Sequence, residues 1–280
     1  MKIIGIDLGG TKVKIGVVDK EKLLEVIYQE IDNTDSMLGV IKQITNELDK
    51  VFDKTVSAIG IGVPSIVDPE KGIVFEVTNI PSWKKVPLKK ILERKYHVPV
   101  LVNNDAKCFV LGEKYFGFGK IYKDIAGITL GTGVGGGIIV DGKLYAGQNC
   151  GAGDFCNILY KESNLEHYSS GMFYKQFGME GKDISRKARA GDGKCLKILE
   201  EQGHHIGNLL GAVVNSVDPE IIILYGSTTK DYDLWKKSMT ESLKENIYKR
   251  SFARLKIKVS KNKDIALLGA ASLWQDYNKR

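Results

Sequence analysis

The chain has 280 residues, of which 43% are hydrophobic and 27% charged, with a formal net charge of +7 and a pI near 9.0. That length exceeds one typical core and predicts two lobes; the composition excludes disordered and fibrous classes. The excess lysines are dispersed among acids, as at Lys42, Lys50, Lys54, Lys71 and Lys95, so they read as a solvated surface suited to small anions, with no nucleic-acid partner. Four cysteines, Cys108, Cys150, Cys156 and Cys195, show no C-x-x-C spacing, which argues against a disulfide framework or a zinc knuckle. Met1 leads directly into an apolar strand with no secretory pattern, and no apolar run is long enough to span a bilayer. A cytoplasmic protein without a membrane partner is expected.

Alternation predicts strands at about 2–8, 12–18 and 23–31, then a helix at about 35–53 with Leu38, Ile41, Ile44 and Leu48 at helical spacing. Ser57–Val63 reads as a buried strand stopped by Pro64. A helix at about 87–96, opened by Pro87 at its first position, leads to the strand Val98–Val102, and another helix begins at Asp105. A strand at 123–130 then opens a second series. Asp141-Gly142 turns a tight pair, a long helix covers about 193–217, and Ile221–Tyr225 is an apolar strand after Pro219. Helix 231–249, strand 255–259 and helix 264–277 complete the chain. Both series open with strand, hairpin and strand, which suggests an internal duplication.

Two glycine-rich turns stand out: Asp7-Leu8-Gly9-Gly10-Thr11-Lys12 and Leu130-Gly131-Thr132-Gly133-Val134-Gly135-Gly136-Gly137. Each joins β-branched stretches, so each reads as a tight hairpin whose bare N–H groups can cradle phosphate. Two such turns, one per half, suggest a nucleotide held by both.

The chain resembles the ROK family of sugar kinases and repressors, within the actin/hexokinase-like superfamily. The resemblance rests on both glycine turns, Gly60-Ile61-Gly62-Val63-Pro64, Asn104-Asp105-Ala106, Gly112-Glu113, Gly151-Ala152-Gly153-Asp154, Leu165-Glu166-His167-Tyr168-Ser169-Ser170-Gly171 and Ala266-Leu267-Leu268-Gly269-Ala270-Ala271. These segments run in family order over nearly the whole chain. The resemblance implies an α/β, two-lobed actin/hexokinase-like (ribonuclease H-like) ATPase fold with an active-site cleft between lobes. Residues 1–104 with the C-terminal helix 264–280 would form the smaller lobe, and 105–263 the larger.

The resemblance also implies roles. Asp7 would hold Mg²⁺ through water, while Gly9, Gly10, Thr11, Gly131, Thr132 and Gly133 approach the phosphates of ATP. Asp7 also suits a plain turn-capping carboxylate. Lys12 either adds positive charge or is solvated. Asp105 would be the general base that takes the proton of the attacking sugar hydroxyl, although a carboxylate at a strand-to-helix junction also suits a helix cap. The sugar would be met by Asn104, by Asn79 within Thr78–Trp83, by Gly135 and Gly136, and by Asp154 and Glu166. Ser65 replaces a family glycine and either binds sugar or is tolerated in the turn. Gly226 and Ser227, ending the Asp218–Tyr225 segment, would meet the adenosine, and the last helix would pack back onto the first lobe.

The chain departs from the family after Gly153. Asp154 stands for a glutamate, Asn157 occupies the position of a histidine that binds zinc and sugar, and the cysteine loop that completes the zinc site is deleted. No structural zinc is expected, and the Asp154-to-Glu166 loop would be held by Phe155, Ile158 and Leu159.

The implied activity is ATP-dependent phosphorylation of a hexose or N-acetylhexosamine, at the primary hydroxyl, by a homodimer. The carboxylates lie among phosphate loops, so glycoside hydrolysis fits poorly. A sugar-responsive repressor is the rival, and is not expected because the first turn already begins at residue 7 and its Asp-Leu-Gly-Gly-Thr sequence is intact. A sugar-binding protein without turnover is the third reading, suggested by Asp154 and Asn157.

Overall fold

Alternating burial organises the first strands. In the computed structural model, which describes residues 1–279, β1 (Lys2–Leu8), β2 (Lys12–Asp19) and β3 (Lys22–Glu30) form an antiparallel meander. The helix α1 (Met37–Leu48) starts at Ser36, whose side chain accepts the Gly39 N–H, and ends five residues short of 53. β4 (Val56–Val63) returns parallel to β1. A small sheet of β5 (Ile66–Asp68), β6 (Ile73–Phe75) and β7 (Lys85–Val86) follows. Strands of two or three residues are too short for alternation to register, and the sequence reading placed no elements there. Pro87 precedes α2 (Leu88–Tyr96) as its cap, one position before the first helical residue expected for it. β8 (Val100–Asn104) then runs parallel to β4 and passes directly into α3 (Asp105–Phe116).

The second series begins with β9 (Ile125–Leu130), β10 (Val134–Val140) and β11 (Lys143–Tyr145). A miniature hairpin of β12 (Leu159–Tyr160) and β13 (Ser163–Asn164) precedes the short helix α4 (Leu165–Ser169). Next come α5 (Gly181–Arg189), the 25-residue α6 (Gly193–Val217) and β14 (Ile221–Tyr225). Only Ile184 and Ala188 of α5 are buried, too few apolar positions for periodicity to reveal it. The single helix expected over 231–249 is divided into α7 (Tyr232–Asn246) and α8 (Lys249–Arg254), because Ile247 is extended between them. β15 (Lys256–Val259) and α9 (Ile265–Tyr277) end the described chain. The strand orders are β3-β2-β1-β4-β8 and β11-β10-β9-β14-β15, an antiparallel strand pair beside three mutually parallel strands in each sheet.

Two compact units result. The first takes Met1–Ile121, Gly137–Ala152 and the segment from Asn262 onward; the second takes Tyr122–Gly136 and Gly153–Lys261. These units differ from the boundary expected at residue 105 by the whole of α3 and by Gly137–Ala152, both of which join the first unit. The cause is packing. In the first unit, Ile4, Ile6 and Leu8 face a core shared with Ile44, Leu48 and Leu92. The alternate residue Ile3 joins Ala58, Leu268 and Ala271 on the opposite face. α3 lies against α9 there so closely that a Cβ at Gly269 would stand 1.7 Å from the Cys108 carbonyl oxygen. In the second unit α6 and α7 make a similar approach, Gly207 facing the Met239 carbonyl. Among the described residues no helix is long and apolar enough to cross a membrane.

Because no side chain fits at Gly269, Gly269→Ala should overpack the α3–α9 contact by about 1–3 kcal/mol. Thermal unfolding should show a midpoint lowered by roughly 2–10 °C. An unchanged midpoint would contradict the close approach.

Candidate active site

Asp7 lies at the end of β1 on the same face as Ile3, opposite Lys14 of β2 and Gly62 of β4. Its carboxylate accepts no hydrogen bond among the described residues, and burial raises its pKa, with Lys14 opposing and Asp264 adding to the rise. Lys14 is 3.7 Å from Asp264 and donates to the Lys263 carbonyl at 2.7 Å. In the adjoining turn the Gly9 N–H is taken by the Lys12 carbonyl at 2.8 Å. Those of Gly10 and Thr11 donate to nothing among the described residues. The exposed Asn79 packs over Gly10, and a Cβ there would meet the Asn79 Cβ at 2.4 Å. Lys12 points elsewhere: it pairs with Glu30 at 3.3 Å on the open surface of β2 and β3.

At the β8–α3 junction the helix cap is Asn104. Its Oδ1 accepts the N–H groups of Ala106 at 2.9 Å and Lys107 at 3.3 Å, and its Nδ2 donates to the Ser65 carbonyl at 3.3 Å. Asp105 is thereby the first helical residue and not the cap, and only its Oδ1 is engaged, by the Ala106 N–H at 2.8 Å. Burial first, then the negative charge of Asp7, pushes its pKa up to about 6. The Ala106 N–H and the fully buried Lys107 oppose that rise. Asn103 is buried behind the junction and accepts from the Asn104 N–H at 2.8 Å and the Cys150 thiol at 3.1 Å. The Ser65 hydroxyl donates to the Phe75 carbonyl, which ties β6 to this turn.

The other glycine turn lies in the second unit. The Gly131 N–H donates to the Gly133 carbonyl at 2.9 Å, Gly135 to the Thr129 hydroxyl at 3.1 Å, and Val134 to Glu166 Oε1 at 3.0 Å. The N–H groups of Thr132 and Gly133 are left without an acceptor among the described residues. Glu166, on α4, leaves no room for a side chain at Gly133, where a Cβ would stand 2.4 Å from its Oε1. Gly136 packs under the Gly153 carbonyl. Asp154 is half-buried just before a 3₁₀ turn, and Asn157 is exposed at the end of that turn.

The loop from Asp154 to Glu166 is not held as expected. Phe155 is buried, but Ile158 and Leu159 are 40% and 88% exposed. Tyr160 does the anchoring: its hydroxyl lies 3.1 Å from His205 Nδ1, and its ring meets Tyr168 edge-on at 5.4 Å. Burial pulls the His205 pKa down to about 4, so this imidazole is neutral at pH 7.

At the end of β14, Gly226 has φ +116°, and a Cβ would lie 2.3 Å from the Leu130 carbonyl oxygen, so only glycine fits. Ser227 follows it, exposed. Gly131, Thr132, Ser227, Thr228, Ser185 and Asp231 are among the residues lining a cavity of about 470 Å³.

The ROK family matches residues 3–277. The chain belongs to the ROK family. Its relatives include the glucokinase of Thermotoga maritima, 29% identical over 98% of this chain and 97% of that protein. A ROK family glucokinase from Streptomyces griseus, solved with glucose and AMPPNP, has a TM-score of 0.81 at 30% identity, covering 98% of this chain and 99% of that one. The xylose repressor of Caldicellulosiruptor bescii is 29% identical over 95% of this chain and 76% of its own length. The mixed α/β fold is that of the ROK kinases of known structure.

Three residues of this ROK site escaped sequence reasoning. Lys14, Asp264 and Lys107 act through charge on Asp7 or Asp105, and only the pairing of β1 with β2 and the start of α3 bring them there. The alternation Lys12-Val-Lys14 could have flagged Lys14 as a residue facing away from the apolar core. The donor set suits Mg²⁺: Asp7 offers a hard carboxylate with no competing donor, and Mg²⁺ takes one or two carboxylates and keeps water or phosphate for the rest. Among the described residues no three metal-ligating side chains converge, and the Cys150 thiol is turned to Asn103.

The electrostatics of Asp105 have a measurable consequence. Its pKa rises from 3.8 to about 6, so the fold favours the protonated form. That stabilisation is complete below about pH 4 and is lost as the pH rises through about 6. Asp105→Asn keeps the Oδ1 acceptor and should stabilise the protein at pH 7.5 by on the order of 2–3 kcal/mol, with no gain at pH 4. Thermal unfolding at both pH values checks this; destabilisation at pH 7.5 would contradict it.

Proposed function

We propose that this chain is an ATP-dependent sugar kinase that phosphorylates the primary hydroxyl of a hexose or N-acetylhexosamine, with Asp105 as general base. The observation that carries the reading is the placement of Asp105 at the β8–α3 junction, where Asn104 is the helix cap and Asp105 Oδ2 is uncommitted; burial raises its pKa to about 6. A base must be ionised at the working pH yet willing to accept a proton, and a pKa near 6 meets both needs. The glucokinase relatives support the same reaction. A repressor needs neither this carboxylate nor bare N–H groups in two glycine turns.

The N–H groups of Gly10 and Thr11, and those of Thr132 and Gly133, are the phosphate contacts. Asp7 would hold a magnesium ion through water, and the bound ion would add positive charge beside the phosphate oxygens. Asn79, Asp154 and Glu166 meet the sugar hydroxyls. Asn104 and Ser65, whose polar atoms are committed to each other and to backbone, fix the turn that carries Asp105. In transfer, the sugar oxygen forms its bond to the terminal phosphorus as the bond to the ADP oxygen breaks, and the hydroxyl proton passes to Asp105. Asn157 presents an amide at the sugar's edge. The protein works in the cytoplasm as a homodimer, without structural zinc.

Asp105→Asn should abolish transfer, by about 10²-fold or more, while sugar affinity stays within about tenfold. Wild-type turnover in this variant would refute the base. For the native protein, kcat/KM should climb with pH and level off above about 6, since only ionised Asp105 accepts the proton; a flat profile down to pH 5 would contradict the assignment. Elemental analysis of purified protein should find no stoichiometric zinc. One zinc per chain held at Cys150 or Cys156 would overturn that part of the reading.

A further inference from the structure

The cavity of about 470 Å³ in the second unit is lined by one buried charged side chain, which the phosphoryl-transfer chemistry does not use. Asp231 sits on the 3₁₀ turn after Gly226 with its side chain only 8% exposed. Its Oδ1 gathers every donor in reach: the Ser185 hydroxyl at 2.7 Å, Arg189 Nε at 3.2 Å and Arg189 Nη2 at 3.0 Å. Arg189 also grips Asp233 Oδ1 at 2.9 Å and the Lys230 carbonyl at 2.8 Å, so α5 is fastened to the start of α7. The carboxylate is thus rigid, and Oδ2 accepts nothing among the described residues.

A nucleoside triphosphate in this cavity must turn its phosphates toward the Gly131–Gly133 turn, where the bare N–H groups are. The base then occupies the remainder, whose other charged residues, Lys175, Glu180, Lys182 and Lys230, are all exposed. A fixed carboxylate oxygen without a donor attracts an N–H and repels a carbonyl oxygen.

We propose that Asp231 is a specificity-determining residue for the phosphoryl donor, selecting a purine that carries an exocyclic 6-amino group over one that carries a 6-oxo group. Ser185 and Arg189 are positioning residues for that carboxylate. The inference rests on the kinase reading above, and the test separates the two.

The measurement is kcat/KM with ATP, inosine triphosphate and purine riboside triphosphate, the last bearing only hydrogen at C6, at a fixed saturating sugar concentration. Wild-type protein should prefer ATP over inosine triphosphate by roughly tenfold to a hundredfold, with purine riboside triphosphate between them. In Asp231→Asn, whose amide offers either a donor or an acceptor, the ATP-to-inosine ratio should fall to within about threefold. The ratio is taken within one preparation, so a lower folded fraction leaves it unchanged. If that variant does not fold, the order of the three nucleotides in the wild type still decides. Equal use of ATP and inosine triphosphate by wild type, or an unaltered ratio in Asp231→Asn, would overturn the inference. Failure to use any of the three would instead overturn the kinase reading.

Discussion

A helix must have its first N–H groups satisfied, and in α3 Asn104 does this in place of Asp105. On the proposed reading, this division of labour between neighbouring residues is what gives the site its chemistry. Had Asp105 capped the helix with both oxygens, hydrogen bonding would have held its pKa down and left a poor base. With Asn104 as cap, one carboxylate oxygen remains available in a setting where burial and Asp7 raise proton affinity. The arrangement depends on β4, β8 and α3 being locked together. That locking in turn requires the glycine contacts between α3 and α9.

The same constraint explains why α3 belongs with the first unit. Periodicity reveals that a helix starts near residue 105, but not which neighbour it will prefer. Gly112 and Gly269 decide it, since each would clash with the backbone of the facing helix of that unit if it carried a side chain. Long, strongly alternating segments such as β1, β2, β4 and α6 were legible because their burial follows a single period. The strands β5 to β7 and the helix α5 were not, because two or three apolar residues define no period.

The site was legible to a different degree. Asp7, Asp105 and Glu166 stand in sequence motifs, and all three lie beside a strand end or a glycine turn. Their partners were less visible. Lys12 and Lys14 share a face of β2, and nothing in the sequence says that one pairs outward with Glu30 while the other reaches Asp264. Tyr160 anchoring the Asp154–Glu166 loop was equally hidden: alternation favours the aliphatic Ile158 and Leu159, but both are exposed. Asp231 carried no motif at all. Its meaning comes from Ser185 and Arg189, which lie more than forty residues away.

The central claim is that one carboxyl group takes a proton while a phosphoryl group passes from ATP to a carbohydrate. Phosphorus NMR of the native protein with magnesium, ATP and a panel of hexoses and N-acetylhexosamines tests it most directly. The account predicts a new phosphomonoester resonance on one or more sugars, growing in step with ADP. ADP accompanied only by inorganic phosphate, or no loss of ATP with any sugar, would contradict it.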